Sequence, residues 1–559
     1  MAPMESGSAN TFHGRGVVLG LDGATFDLLD PLMASGVMPH LKGICGSGRR
    51  AILKSTKPPI TACAWPTMYT GSEPGRHSIF DFRRPLRDPD LKRRFVNSSS
   101  IRLPKIWEVL AEEGQASILL NLPLTFPPFE MNGRLISGMP LPSGARDITY
   151  PKGLLDEIEK ECGGYIADID FLRGDIPDIS NEEALRQLLG QLHKALEFRL
   201  RAAQYLIAHG EWRMFFACFI LPDRVQHLYY QILDEKCLQG KKLDKHEENL
   251  REKLIALYGE LDDAIGSIVK SLNPEDCLLL LSDHGFGPLK RMFHLNLWLQ
   301  EKGYLKFNGS KGKGSSGVKR FIPESVKRPL RALLRKKPDM AGYNPLALID
   351  WGATRAYCGS SSEQGVYLNV KGREPYGVVE QGLEYTQLRD RLMKELEGAK
   401  DPATGERIFE VVCPREEIQS GRFIENAPDI YIQPTRYEWV MAEEHVGEMS
   451  MPWHHTWGGF HREEGIFVAA GPMISRGGEF SQIEMTQVMP FILASLGMPI
   501  PDWVDANPPD GLLGEEFARA HPIVRKGYPE LLGKYEGDLP IESGDTGGDD
   551  LLKGLGYIN

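Results

Sequence analysis

Apolar residues in this chain cluster in short, nearly continuous blocks, and the spacing between blocks carries helical periodicity. The runs at 16–23 (GVVLGLDG), 116–120, 133–139, 212–221 (WRMFFACFIL) and 277–281 (CLLLL) are too short for membrane spans or independent helices. They predict strands buried on both faces of a parallel sheet. Amphipathic helices are expected over 26–33, 105–114, 181–209 and 250–272, the third with Leu185, Leu188, Leu192 and Leu196 on one face. Further helices are expected over 294–305, 385–396 and 486–496, and short strands over 366–370 and 429–433.

Strands alternating with helices define an α/β protein. The expected organisation is a polar leader (1–15), a catalytic core (16–306), a basic Gly/Ser-rich loop (307–345) and an inserted smaller α+β subdomain (346–450). The core then resumes (451–513), and a polar, loosely held tail (514–559) follows. No internal repeat is visible.

Composition narrows the class. The chain has 559 residues, 42% hydrophobic and 25% charged, as an ordinary soluble globular protein does. Its net charge of -11 gives no support for a nucleic-acid polymer or an anionic membrane as partner. No run approaches 18 apolar residues and no apolar segment opens the chain, so export and membrane spanning are not expected. Eight scattered cysteines, without a CxxC, read as reduced residues of a cytoplasmic protein.

The chemistry sits where the apolar blocks stop, since open α/β sheets place their sites beyond the carboxyl ends of strands. The run at 16–23 ends in Asp22, and 277–281 is followed by Asp283 and His284. The block 212–221 runs into Pro222, Asp223 and His227, and the last two share a face if a helix starts there. His461 stands just before a further apolar run. Thr61 follows Pro58 and Pro59 at a helix start, where an anion such as phosphate is favoured. Each has a plainer reading, as an N-cap, a strand-end cap or a core-edge histidine. Together, three Asp and three His suffice for two divalent ions, and their N/O donors suit zinc or manganese.

These motifs in this order resemble the alkaline phosphatase superfamily, in particular its type I phosphodiesterase / nucleotide pyrophosphatase branch. The carriers are LDG at 21–23, the run from Thr61 to Thr70 and Gly71 with Pro74 and His77 beyond it, PDxxxH at 222–227, SDHG at 282–285 and GxHxxxG at 459–465. The resemblance implies a three-layer sandwich with a mostly parallel central sheet flanked by helices. It also implies two metal sites, one formed by Asp223, His227 and His461, the other by Asp22, Asp283, His284 and the Thr61 oxygen. Thr61 is then the nucleophile, forming a phospho-threonine on a small phosphate ester or nucleotide. Metal-dependent phosphomutases of the same superfamily are the alternative, although they generally use Ser, and a non-catalytic metal-stabilised scaffold would not need the Thr61 hydroxyl.

The chain also departs from that branch. Thr61 is followed by Ala62, Cys63 and Ala64 where the branch tends to read TFPN, and its phosphate-binding Asn falls near Asp81 or Phe82. Arg76, Arg83 and Arg84 are the nearby candidates for a phosphate contact. The sulfatase pattern CxPxR is absent, because Cys63 precedes Ala64, Trp65 and Pro66.

Overall fold

The Cys277–Leu281 strand is buried at every position, as are Gly16–Leu21 and Met214–Phe219. Gly16–Leu21 lies between the other two and is parallel to both. Continuous apolarity is what strands covered on both faces require. The structure, a computed structural model, describes residues 14–91, 94–169, 182–308, 345–359, 364–442, 448–453 and 458–537.

Among these residues the main sheet has nine strands. Their order is Glu479–Glu484, Arg49–Lys54, Glu464–Ala470, Cys277–Leu281, Gly16–Leu21, Met214–Phe219, Ser117–Leu122, Gly133–Ser137 and Thr149–Tyr150. The sheet is mostly parallel and flanked by helices, as expected. Glu464–Ala470 is the exception inside it, antiparallel to both Cys277–Leu281 and Arg49–Lys54. One edge of the sheet therefore gathers the carboxyl ends of seven strands and the start of this reversed one.

Helix starts follow local capping. The helix expected from 250 begins at Lys245, because Asp244 accepts from the His246 and Glu247 amides and Glu247 returns a bond to the Asp244 amide. Its inner face buries Leu250, Leu254, Leu257, Leu261 and Ile265. The helix expected over 294–305 is shorter, Leu295–Glu301, and the strand Arg291–His294 precedes it.

Gly285 and Gly287, beyond the end of the apolar run, belong to a short strand, Gly285–Pro288, antiparallel to Gly459–Arg462. A β-carbon on Gly285 would lie 2.1 Å from the Glu464 carbonyl oxygen. The glycine is there to let two backbones meet, and hydrophobic periodicity carries no trace of that.

A second sheet, ordered Ala356–Tyr357, Gly365–Leu368, Ile430–Pro434 and Phe409–Pro414, packs with the Leu383–Glu397 helix around Leu368, Leu388, Leu392 and Ile432. Phe293, Leu295 and Trp298 join the same apolar cluster. The basic stretch lies almost wholly outside the described residues, as do the leader to residue 13 and the chain beyond 537. The first part of the tail is better held than its polarity suggests. Tyr528 and Leu531 are buried, and the Tyr535 hydroxyl bonds Glu108. All eight cysteines are free. Among the described residues no helix is long and apolar enough to cross a membrane.

Candidate active site

Three neighbouring parallel strands deliver acids to one edge of the sheet. Asp22 follows Gly16–Leu21, Asp283 and His284 follow Cys277–Leu281, and Asp223 lies in the first turn of the Leu221–Leu233 helix after Met214–Phe219. Pro222 near that helix start suits a position whose missing amide hydrogen is not needed. His227 stands one turn on from Asp223. The chain beyond Arg49–Lys54 brings Thr61 to the same edge as the first residue of the Thr61–Thr70 helix, and its N-cap is Ile60. His461 arrives on the Gly459–Arg462 ribbon, opposite Phe286. All seven side chains are buried, His227 the most exposed at 4%.

The seven converge in two overlapping groups. Nε2 of His227 lies 3.3 Å and Nε2 of His461 3.5 Å from Asp223 Oδ1, and the two nitrogens are 3.2 Å apart. Nε2 of His284 lies 3.2 Å from Asp283 Oδ2, 3.8 Å from Asp22 Oδ1 and 3.2 Å from Thr61 Oγ1. The ligand atoms of Asp22, Asp283 and His284 fall within 4.8 Å of one another, and so do those of Asp223, His284 and His461. His284 thus borders both groups, its ring stacked on that of His461 at 3.5 Å between centroids.

The donor chemistry fits divalent cations. Nδ1 of His461 is 2.8 Å from the Pro59 carbonyl and Nδ1 of His284 is 3.1 Å from the Gly285 carbonyl. A carbonyl only accepts, so both rings carry their proton on Nδ1 and turn the Nε2 lone pair toward the acids. Oδ1 of Asp22, Oδ1 of Asp223 and Oδ2 of Asp283 are buried and accept no well-formed hydrogen bond among the described residues. Three buried carboxylate oxygens facing imidazole lone pairs are what cations would satisfy.

Electrostatics follow from the same crowding. Burial, reinforced by the charges of Asp283 and Asp223, raises Asp22 well above the usual carboxylate range. Burial pushes Asp283 to about 7 against the bond it accepts from the Gly23 amide. Burial also acts to raise Asp223, but His227 and the Arg224 guanidinium outweigh it and hold it well below. His461 is lowered to about 4 by burial, and His284 well below its ordinary value, so both rings are neutral, as metal ligation demands.

The three candidate arginines make contacts of their own. Arg76 pairs with Asp505 beyond the far end of the Thr61–Thr70 helix. Arg83 lies over the Phe95 ring at 5.8 Å, and Arg84 reaches the Ser100 hydroxyl at 3.5 Å. Asp81 turns its carboxylate onto the Phe82 amide at 2.7 Å. Sequence reasoning missed the supports of the site. Ser55 donates to the Asp283 carbonyl at 2.6 Å, Gln226 to the Gly23 carbonyl at 2.9 Å, and Ser282 to the Ala24 carbonyl at 2.8 Å. Gln226 and Ser282 lie within the PDxxxH and SDHG motifs, whereas Ser55 carries no such signal.

Fold and site together define a phosphoric-ester hydrolase of alkaline phosphatase-like architecture. The chain belongs to the type I phosphodiesterase / nucleotide pyrophosphatase family, whose model matches residues 16–461. Among solved structures, phosphonoacetate hydrolase from Sinorhizobium meliloti in complex with phosphonoformate has a TM-score of 0.51 at 14% identity. The match covers 87% of this chain and 96% of that one, and speaks for the fold alone. Murine ectonucleotide pyrophosphatase / phosphodiesterase 5, an inactive variant in complex with AMP, has a TM-score of 0.48 at 14% identity, over 90% of this chain and all of that one. No curated protein matches the chain.

Proposed function

We propose that the chain is a two-metal phosphodiesterase that cleaves a nucleotide or related small phosphate ester through a phospho-threonine at Thr61. The observation that carries the reading is the approach of the Thr61 hydroxyl to His284 Nε2, 3.2 Å away, inside a buried set of three Asp and three His. Asp223, His227 and His461 would hold one cation. Asp22, Asp283, His284 and the Thr61 oxygen would hold the other. The donor set of carboxylates and imidazoles suits Zn²⁺, with Mn²⁺ next. Bound there, two divalent cations supply Lewis acidity toward the Thr61 hydroxyl and the phosphoryl oxygens.

The chain's own residues do the rest. Asp22 and Asp283, whose carboxyls burial holds toward the protonated form, would give up their protons to become carboxylate ligands as cations bind beside Thr61. Thr61 Oγ1 loses its proton and attacks phosphorus in line as the bond to the ester oxygen breaks; the departing oxygen takes up a proton from solvent and leaves as an alcohol, and the new bond makes a phospho-threonine. The Thr61–Thr70 helix presents its N-terminal end to the transferring group, where the dipole favours anionic oxygens. Water then attacks the phospho-threonine, the Thr61–phosphorus bond breaks, and the hydroxyl is restored with release of the phosphorylated product.

The test is a panel of mono- and diesters, nucleotides and sugar phosphates on metal-loaded protein. Diester cleavage is expected to exceed monoester cleavage, and Thr61→Ala is expected to lower kcat by about a thousand-fold or more while leaving circular dichroism unchanged. Full turnover by that variant on the best substrate overturns the mechanism. Chelation should abolish activity, and Zn²⁺ or Mn²⁺ should restore it.

A further inference from the structure

The residue after the ligand Asp223 is an arginine buried to 1% exposure beneath the site. Arg224 donates from Nη1 to Asp223 Oδ2 at 2.5 Å. The other side of its guanidinium makes a two-pronged contact with Asp168, Nε to Oδ1 at 3.2 Å and Nη2 to Oδ2 at 3.1 Å. Asp168 is itself buried, and its Oδ1 also accepts from the Ile169 amide at 2.8 Å. Among the described residues no arginine hydrogen-bonds Asp22 or Asp283, whose partners include the Cys218 thiol and the Gly23 amide.

We infer that Arg224, locked by Asp168, is a positioning residue for one metal site alone, clamping one oxygen of Asp223 so that the other faces His227 and His461. The inference rests on the two-metal reading above. Asp223 has two equivalent oxygens on a rotatable bond, and a free carboxylate could turn both toward the two imidazoles or swing toward Asp22. With Oδ2 held by Arg224, Oδ1 is left 3.3 Å from His227 Nε2 and 3.5 Å from His461 Nε2. Asp168 sets the guanidinium plane in turn, because a fork bound on one side has little freedom on the other. The clamp acts on Asp223. Asp283 is held differently, by the Gly23 amide at 3.1 Å.

The test is zinc binding, read by calorimetry and by metal analysis after dialysis, on the full chain. Arg224→Met alone strands Asp168 without its partner and is expected to fold poorly, so the informative variant is Arg224→Met combined with Asp168→Asn. That pair removes one charge of each sign and keeps an acceptor for the Ile169 amide. One of two Zn²⁺ ions is expected to bind about 10- to 100-fold more weakly, as for loss of a partner that orients a ligand. The second ion should bind as in the wild type, and the metal-free circular dichroism should match that of the wild type. Arg224→Lys, which keeps the charge but not the fork, should restore part of the lost affinity. Unchanged binding of both ions, or equal weakening of both, overturns the inference. Fewer than two zinc ions on the wild-type chain would instead overturn the two-metal reading itself.

Discussion

Thr61 occupies the first position of its helix rather than the cap before it, and that placement separates its two possible roles. A capping hydroxyl would be spent on a backbone amide, whereas this one lies 3.2 Å from His284 Nε2. Thr61→Ser is therefore expected to retain turnover within about ten-fold while Thr61→Ala loses it; equal loss in both, measured as kcat, would remove the hydroxyl from the mechanism. His77 shows the opposite use of a buried imidazole. Its Nε2 lies 3.0 Å from Thr67 Oγ1, whose own proton goes to the Cys63 carbonyl, and its Nδ1 accepts from the Ile79 amide. The ring is thus a neutral structural link, and burial lowers it to about 3. An unfolded histidine binds a proton below about 6.5 while the folded one does not, so His77 contributes stability at neutral pH that fades as pH falls. Compared with His77→Gln, the wild type should lose up to about 1.4 kcal/mol of its advantage per pH unit below 6.5. Urea unfolding at pH 7, 6 and 5 measures this, and a constant difference would count against it.

At the scale of elements, the Thr61–Thr70 helix is seated on a glycine. A β-carbon at Gly20, in the Gly16–Leu21 strand, would lie 2.2 Å from Cη2 of Trp65, which projects from the Thr61–Thr70 helix. Trp65 is wholly buried and packs against Phe216 at 5.9 Å between centroids. Gly20→Ala should therefore push the helix outward and cost about 1–3 kcal/mol, the range for overpacking a core. It should also lower kcat by displacing Thr61. Adding Trp65→Phe should recover most of the stability, as thermal unfolding can show; no recovery would mean that the strand itself, not the helix seat, was strained. Pattern alone placed most of these elements, because both faces of the central strands are apolar and the helices are capped locally. It did not find the Gly285–Pro288 strand, whose glycines carry no apolar signature.

For the molecule as a whole, cations should be structural as well as chemical. Three acids are buried at one edge, with two of them lifted above the usual range by burial and mutual charge. Metal-free protein is expected to melt at lower temperature than the loaded form. Each ion at one hundred times its dissociation constant should add about 2.7 kcal/mol. A zinc titration followed by thermal unfolding checks this, and an unchanged melting temperature up to saturation would refute it.

The sequence alone singled out the residues that the fold gathers at one edge of the sheet, since strand-end acids, the four-residue spacing of Asp223 and His227, and Thr61 after a proline pair are all local features. It also determined the sheet class, because apolar runs report burial on both faces. Only the tertiary structure decided how the pieces meet. His461 reaches the site because Glu464–Ala470 runs against its neighbours and so begins at the edge where they end. His284 falls between the two ligand groups rather than within one, and Arg224 turns inward to Asp223 and Asp168 while Arg76 turns away to Asp505. Strand order and side-chain direction are set by contacts between residues far apart in the chain. A one-dimensional pattern records burial and spacing but not which distant partner is met.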